Sequence, residues 1–181
     1  MTIVYLVGFM GSGKSTIAKR LSQLWNETYA DTDQEIERMY EKKIPDIFIE
    51  QGESAFRDYE SKVLKNLNEP IIATGGGIVE RKENIEWMKQ NGTIIYLYAS
   101  FHEISKRLKD DMNRPLWGHS LEKRKILYKK RQAMYEACAD ITVDTDEKDV
   151  ETVIQDIMEC LNKSCMYLAS YREVIIKSKE R

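Results

Sequence analysis

Apolar residues along this chain alternate between short continuous runs and longer stretches with a single apolar face. The run Thr2-Ile3-Val4-Tyr5-Leu6-Val7 is rich in β-branched residues and predicts a buried parallel strand rather than a signal peptide. From Ser15 to Trp25, Ile17, Ala18, Leu21 and Leu24 recur at helical spacing. A short strand is predicted at Thr28 to Ala30. Helical pattern resumes at Ile36, Met39 and Tyr40, and Pro45 interrupts it. A longer helix is predicted from Glu53 to Leu67, with Phe56, Val63, Leu64 and Leu67 on one face, and Pro70 closes that stretch. Ile71 to Thr74 reads as a strand running into Gly75-Gly76-Gly77. Residues 80 to 90 are helical in character, and Asn91-Gly92 predicts their glycine stop. Thr93 to Tyr98 is the clearest later strand. Helices follow at about 102 to 110 and 121 to 137, then a strand at Ile141 to Val143 and a helix over 147 to 161.

Strands and helices thus alternate, and nearly every strand is a compact apolar run. That pattern predicts an α/β fold with a parallel sheet covered on both faces. The chain has 181 residues, 42% of them apolar, which is one domain or one domain with a tail. The charge balance, 28 basic against 30 acidic residues, leaves no electrostatic footprint for non-specific nucleic-acid binding. No apolar run approaches the roughly 20 residues that span a bilayer. Cys138, Cys160 and Cys165 have no paired spacing, and His102 and His119 are isolated, so neither a disulfide framework nor a zinc site is expected. A cytoplasmic protein is the simplest expectation. Trp87 and Trp117 are expected to pack, Cys138 to be buried, and both histidines to be surface or capping groups.

The chemistry is carried by Gly8-Phe9-Met10-Gly11-Ser12-Gly13-Lys14-Ser15, which fits G-x-x-x-x-G-K-[ST] between a predicted strand and a predicted helix. Glycines let backbone N–H groups converge on phosphate oxygens, and the helix N-terminus adds a favourable dipole. Gly11, Ser12, Gly13, Lys14, Ser15 and Thr16 are therefore the candidate residues for a nucleoside triphosphate, with the acceptor unnamed by the loop. Lys14 would bridge the β- and γ-phosphates, and the Ser15 hydroxyl would hold Mg²⁺.

Three further clusters lie downstream. Asp31-Thr32-Asp33 follows the second strand, where ligands of open α/β sheets bind, although an isolated Asp-x-Asp there is most often a helix N-cap. Gly52-Glu53-Ser54-Ala55-Phe56-Arg57-Asp58-Tyr59-Glu60 places Arg57 and Glu60 one turn apart, as a plain surface ion pair would also be. Gly75-Gly76-Gly77 allows close backbone approach to a ligand, with a tight turn as the alternative.

In this order behind a phosphate loop, these clusters resemble the shikimate kinase family over about residues 1 to 161. Asn113-Arg114-Pro115-Leu116 is similar to that family's lid motif, and Arg131 with Tyr135 to its second substrate arginine segment. The resemblance implies a three-layer α/β/α kinase domain over 1–161 around a five-stranded parallel sheet of order 2-3-1-4-5. It implies a lid at about 109–120 and an acceptor-binding helical region at about 33–60. Asp33, Arg57, Gly75, Gly76, Gly77 and Arg131 would bind shikimate, with both arginines on its carboxylate. Glu60 would orient Arg57, and Phe48 and Phe56 would pack near the substrate ring unless they are ordinary core residues. Ser15 and Asp31 would serve Mg²⁺, Arg107 would lie against adenine, and the loop after Val143 would close the base pocket. Lys14, Asp33 and Arg114 would be the catalytic set. The implied activity is transfer of the ATP γ-phosphoryl group to the 3-hydroxyl of shikimate, in the pathway to chorismate. Shikimate and ATP would be the partners of a monomer, without nucleic acid or membrane. The resemblance gives the extension 162–181 no role; it reads either as an extra helix that docks on the domain or on a partner, self-association included, or as a loosely held tail. A kinase for a sugar acid or nucleoside monophosphate, and a nucleotide-binding regulatory module without an acceptor, are the alternatives.

Overall fold

The computed structural model describes residues 2–109 and 120–163. Five strands, β1 (Ile3–Val7), β2 (Tyr29–Asp31), β3 (Ile71–Ala73), β4 (Gly92–Tyr98) and β5 (Ile141–Asp144), form one parallel sheet of order β2-β3-β1-β4-β5. The register pairs Tyr5 with Ile72 on one side and with Ile94 on the other. Strand β1 explains the continuous apolar runs. Tyr5 and Val7 point into one core with Leu64, Met88, Tyr128 and Tyr135. Val4 and Leu6 point into the opposite core with Ile17, Leu21, Val153, Ile154 and Ile157. Alternate side chains of one strand are buried on both faces, so no polar position interrupts the run.

The helices are α1 (Lys14–Trp25), α2 (Thr32–Tyr40), α3 (Ile44–Asn66), α4 (Lys82–Asn91), α5 (Phe101–Arg107), α6 (Leu121–Cys138) and α7 over 150–163. The start of α3 differs from the sequence expectation. Pro45 does not interrupt a helix but opens one: it sits in the first turn of α3, where its missing N–H has no helical acceptor to lose. The helix expected from Glu53 is thus the second limb of α3, which bends at Gly52, where φ is 82° and ψ 171°. The helix stop expected at Asn91-Gly92 holds: α4 ends at Asn91 with Gly92 as its C-cap, in an extended conformation (φ −172°) that also makes Gly92 the first residue of β4, paired with Ile3.

A third, smaller core of Ile36, Ile47, Phe56 and Val63 holds α2 against α3 beyond the β2 edge of the sheet. Phe56 belongs to it, and Phe48 packs on its margin with the two rings 4.8 Å apart. The ordinary-core alternative therefore describes Phe56. Cys138 is buried, His102 is exposed, and Trp87 packs on the larger core.

Candidate active site

The site lies at the carboxyl ends of β1, β2 and β3, where the chain leaves the sheet and helices α1 and α2 begin. Gly13 caps α1 with φ of 94°, a left-handed conformation that keeps the phosphate loop wrapped over the helix end. The first helical bond runs from the Ile17 N–H to the Gly13 carbonyl at 2.9 Å, so the N–H groups of Ser15 and Thr16 have no helical acceptor. They make the helix end a ready anion site. Lys14 is buried and donates from Nζ to the carbonyls of Gly8 at 2.9 Å and Phe9 at 3.0 Å.

A cleft of about 480 Å³ brings together Gly11, Gly13, Lys14, Ser15, Thr16, Asp31, Asp33, Gly76 and Arg107. Asp31 does two jobs there. Its Oδ1 caps α2, accepting from the N–H groups of Asp33 at 3.0 Å and Gln34 at 3.3 Å. Its Oδ2 accepts from the Ser15 hydroxyl at 2.5 Å. The helix-cap alternative for Asp31 is therefore true without displacing its place in the cleft. An adjoining cavity of about 370 Å³ is lined by Ser12, Gly13, Thr16, Arg107, Thr145, Lys148 and Val150 among others. Arg107 ties its walls together, donating to Glu103 at 2.9 Å, to the Gly11 carbonyl at 3.2 Å and to the Thr145 carbonyl at 2.6 Å.

Behind the cleft stand two buried arginines. Arg57 on α3 donates from Nη1 to Glu60 and from Nη2 to Glu53 at 2.8 Å. Burial opposes its charge, but Glu60, Glu53 and Glu80 outweigh that and raise its pKa, so it stays cationic. Arg131 on α6 is 1% exposed, and among the described residues its Nη2 has no hydrogen-bond partner. The three glycines explain how the cluster fits. A Cβ at Gly75 would collide with Glu60 Oε1 and Asp33 Oδ1, and one at Gly77 with the Arg57 guanidinium. The expected close approach is thus first of all to these side chains. Tyr135 on α6 fixes the same run by donating from its hydroxyl to the Gly76 carbonyl.

Glu60 is almost fully enclosed. Burial pushes its carboxyl up to about 7, against the pull of Arg57 and with a further push from Asp33. The folded chain therefore holds a proton that the unfolded chain releases between about pH 4.5 and 7. Stability from this group is fully present below pH 4.5 and is lost as pH rises through about 7. Glu60→Gln is expected to flatten that loss. Melting temperatures of both proteins across this range check it, and parallel curves would contradict it.

One member of the cluster has no counterpart among the motifs. Glu80, on the 3₁₀ turn Ile78–Glu80, accepts from Arg131 Nε at 3.2 Å and lies 3.5 Å from Arg57 Nε. Burial acts to raise its pKa, but Arg131, Arg57 and Lys130 hold it below the ordinary carboxyl value. The only sequence signal was an acidic residue three positions past the glycine run. Arg114 and most of the expected lid, residues 110–119, lie outside the described residues.

A phosphate loop after the first strand of a 2-3-1-4-5 parallel sheet, opening on a cleft that two acidic residues also line, defines the fold of a P-loop kinase. Residues 10–162 match the family profile described as Shikimate kinase. The chain belongs to the shikimate kinase family. It is 45% identical over 166 residues to a shikimate kinase of Bacillus cereus (strain AH187), covering 90% of this chain and 100% of that one. Among solved structures, it superposes with a TM-score of 0.87 on shikimate kinase from Acinetobacter baumannii in complex with shikimate, at 34% identity, over 91% of this chain and 94% of that one. The Aquifex aeolicus enzyme gives 0.80 at 36% identity, over 90% and 97%.

Proposed function

We propose that this protein transfers the γ-phosphoryl group of ATP to the 3-hydroxyl of shikimate, giving shikimate 3-phosphate and ADP. The observation that carries the acceptor side is the pair of buried guanidinium groups beside the phosphate-loop cleft, with Arg131 Nη2 lacking a partner among the described residues. A buried donor left open costs stability unless an acceptor fills it, and a planar carboxylate matches a guanidinium fork. Arg131 and Arg57 bind that carboxylate, Glu60 orients Arg57, and the glycine run shapes the floor. Asp33 lines the cleft with its Oδ1 against Gly75 and orients the ring hydroxyl.

In the reaction the shikimate 3-oxygen bonds to the γ-phosphorus as the bond to the ADP oxygen breaks, and Asp33 accepts the hydroxyl proton. Phosphoryl transfer asks mainly for positioning and charge neutralisation. Lys14 exchanges its carbonyl partners for phosphate oxygens. Arg114 and the lid expected around it, outside the described residues, are assigned to charge neutralisation at the same group and to exclusion of water. Arg107 and the Thr145 loop form the base pocket.

Ser15 Oγ and Asp31 Oδ2 are adjoining hard oxygen donors on the cleft wall, which suits Mg²⁺ bound chiefly through nucleotide phosphates and water. Among the described residues no cluster of three or more His, Cys, Asp or Glu forms an all-protein cage, and Mg²⁺ held mainly by nucleotide needs none. Mg²⁺ supplies charge neutralisation at the phosphates.

No described helix is long and apolar enough to cross a membrane. The reading carries a cytoplasmic monomer acting on small molecules, not nucleic acid, in one kinase domain over 1–161. The extension 162–181 is its candidate surface for self-association.

ADP release from MgATP tests the acceptor, with shikimate, gluconate and nucleoside monophosphates supplied separately. Stimulation by shikimate alone is expected. Stimulation by gluconate or a monophosphate instead would transfer the acceptor pocket to that substrate. Slow hydrolysis indifferent to all of them would leave a nucleotide-binding module.

A further inference from the structure

Glu80 reaches both arginines at Nε. Its Oε1 accepts from Arg131 Nε at 3.2 Å, and its Oε2 lies 3.5 Å from Arg57 Nε. Lys130 adds a half-exposed ammonium 3.6 Å from Oε1. Arg57 is further fixed at its other nitrogens by Glu53 and Glu60. Glu80 is the hydrogen-bond acceptor of Arg131 Nε, the Phe9 ring lies 5.8 Å from its guanidinium carbon, and among the described residues its Nη2 is unpartnered. The two guanidinium groups come from helices α3 and α6, and Glu80, on the turn between β3 and α4, contacts both.

We propose that Glu80 is a positioning residue for acceptor binding: by contacting Nε of Arg57 and of Arg131, it holds the Arg131 guanidinium in place for the acceptor carboxylate. Arg131 Nη1 is already within 3.7 Å of the position a Cβ would take on Gly76, a residue of the cleft wall. The role rests on the shikimate reading given above. It acts on the acceptor alone, because Glu80 touches no part of the phosphate loop among its hydrogen bonds and ion pairs.

Steady-state kinetics of the full chain test it, with shikimate and ATP varied separately, together with a shikimate titration of the enzyme in the absence of ATP. Glu80→Ala is expected to raise the KM and the dissociation constant for shikimate by roughly ten- to a hundred-fold, the range for loss of a hydrogen bond to a charged group. The KM for ATP and the kcat at saturating shikimate are expected to stay near wild type. Glu80→Gln keeps an acceptor oxygen and is expected to recover part of the loss. It also carries the test if melting shows that the alanine variant is unfolded. Shikimate constants equal to or tighter than wild type, or a joint shift of kcat and both KM values, would overturn the positioning role. A wild-type enzyme that shikimate fails to stimulate would instead remove the acceptor reading, and the role with it.

Discussion

Asp33→Asn is expected to lower kcat for shikimate phosphorylation by about 10²- to 10⁴-fold while leaving shikimate affinity near wild type. The range is that of a side chain which accepts a proton in the transition state. Asp33 is placed for this by local structure. Asp31 caps α2 and holds the Asp33 N–H, so the first turn of the helix presents the second carboxylate to the cleft. Asparagine keeps size and hydrogen bonding but cannot take the proton. Single-turnover measurement at saturating shikimate separates the two roles. Near-normal turnover would show that Asp33 only positions the hydroxyl.

Lys14→Met is expected to reduce kcat by at least about 10²- to 10³-fold, the cost of losing one preorganised group at a centre of developing charge. The ammonium is already desolvated and held by the Gly8 and Phe9 carbonyls at the cleft, so little reorganisation precedes its transfer to phosphate. Methionine fills the same space, and the loop fold is expected to survive, read as an unchanged melting temperature. Nucleotide affinity, measured by ADP titration, is expected to weaken less than turnover. Loss of ADP binding equal to the loss in kcat would assign Lys14 to ground-state binding alone.

How much of this was legible beforehand depended on how local each feature is. The phosphate loop is a single run of eight residues between a strand and a helix, so spacing alone identified it and its cleft. Ser15 and Asp31 were each assigned to Mg²⁺ by the family resemblance, and their contact follows because Asp31 ends β2 and Ser15 lies in the first turn of α1, both at the carboxyl edge of the sheet. The limb of α3 from Ile44 was missed because proline breaks a helix interior but suits a first turn, and pattern alone does not say which. The glycine run was read as space for a ligand. Its additional use as space for Glu60, Asp33 and Arg57 appears only when three separate elements meet. Glu80 was not legible for the same reason. It lies 51 residues from Arg131, on a turn with no periodicity to mark it.

The most direct measurement is the identity of the product formed from MgATP and shikimate. Mass spectrometry and phosphorus–proton correlated NMR are expected to find shikimate phosphorylated on its 3-oxygen, in one-to-one ratio with ADP. ADP accompanied by free phosphate and unchanged shikimate, or a phosphate on another oxygen, would contradict the placement of Asp33, Arg57 and Arg131 around the acceptor.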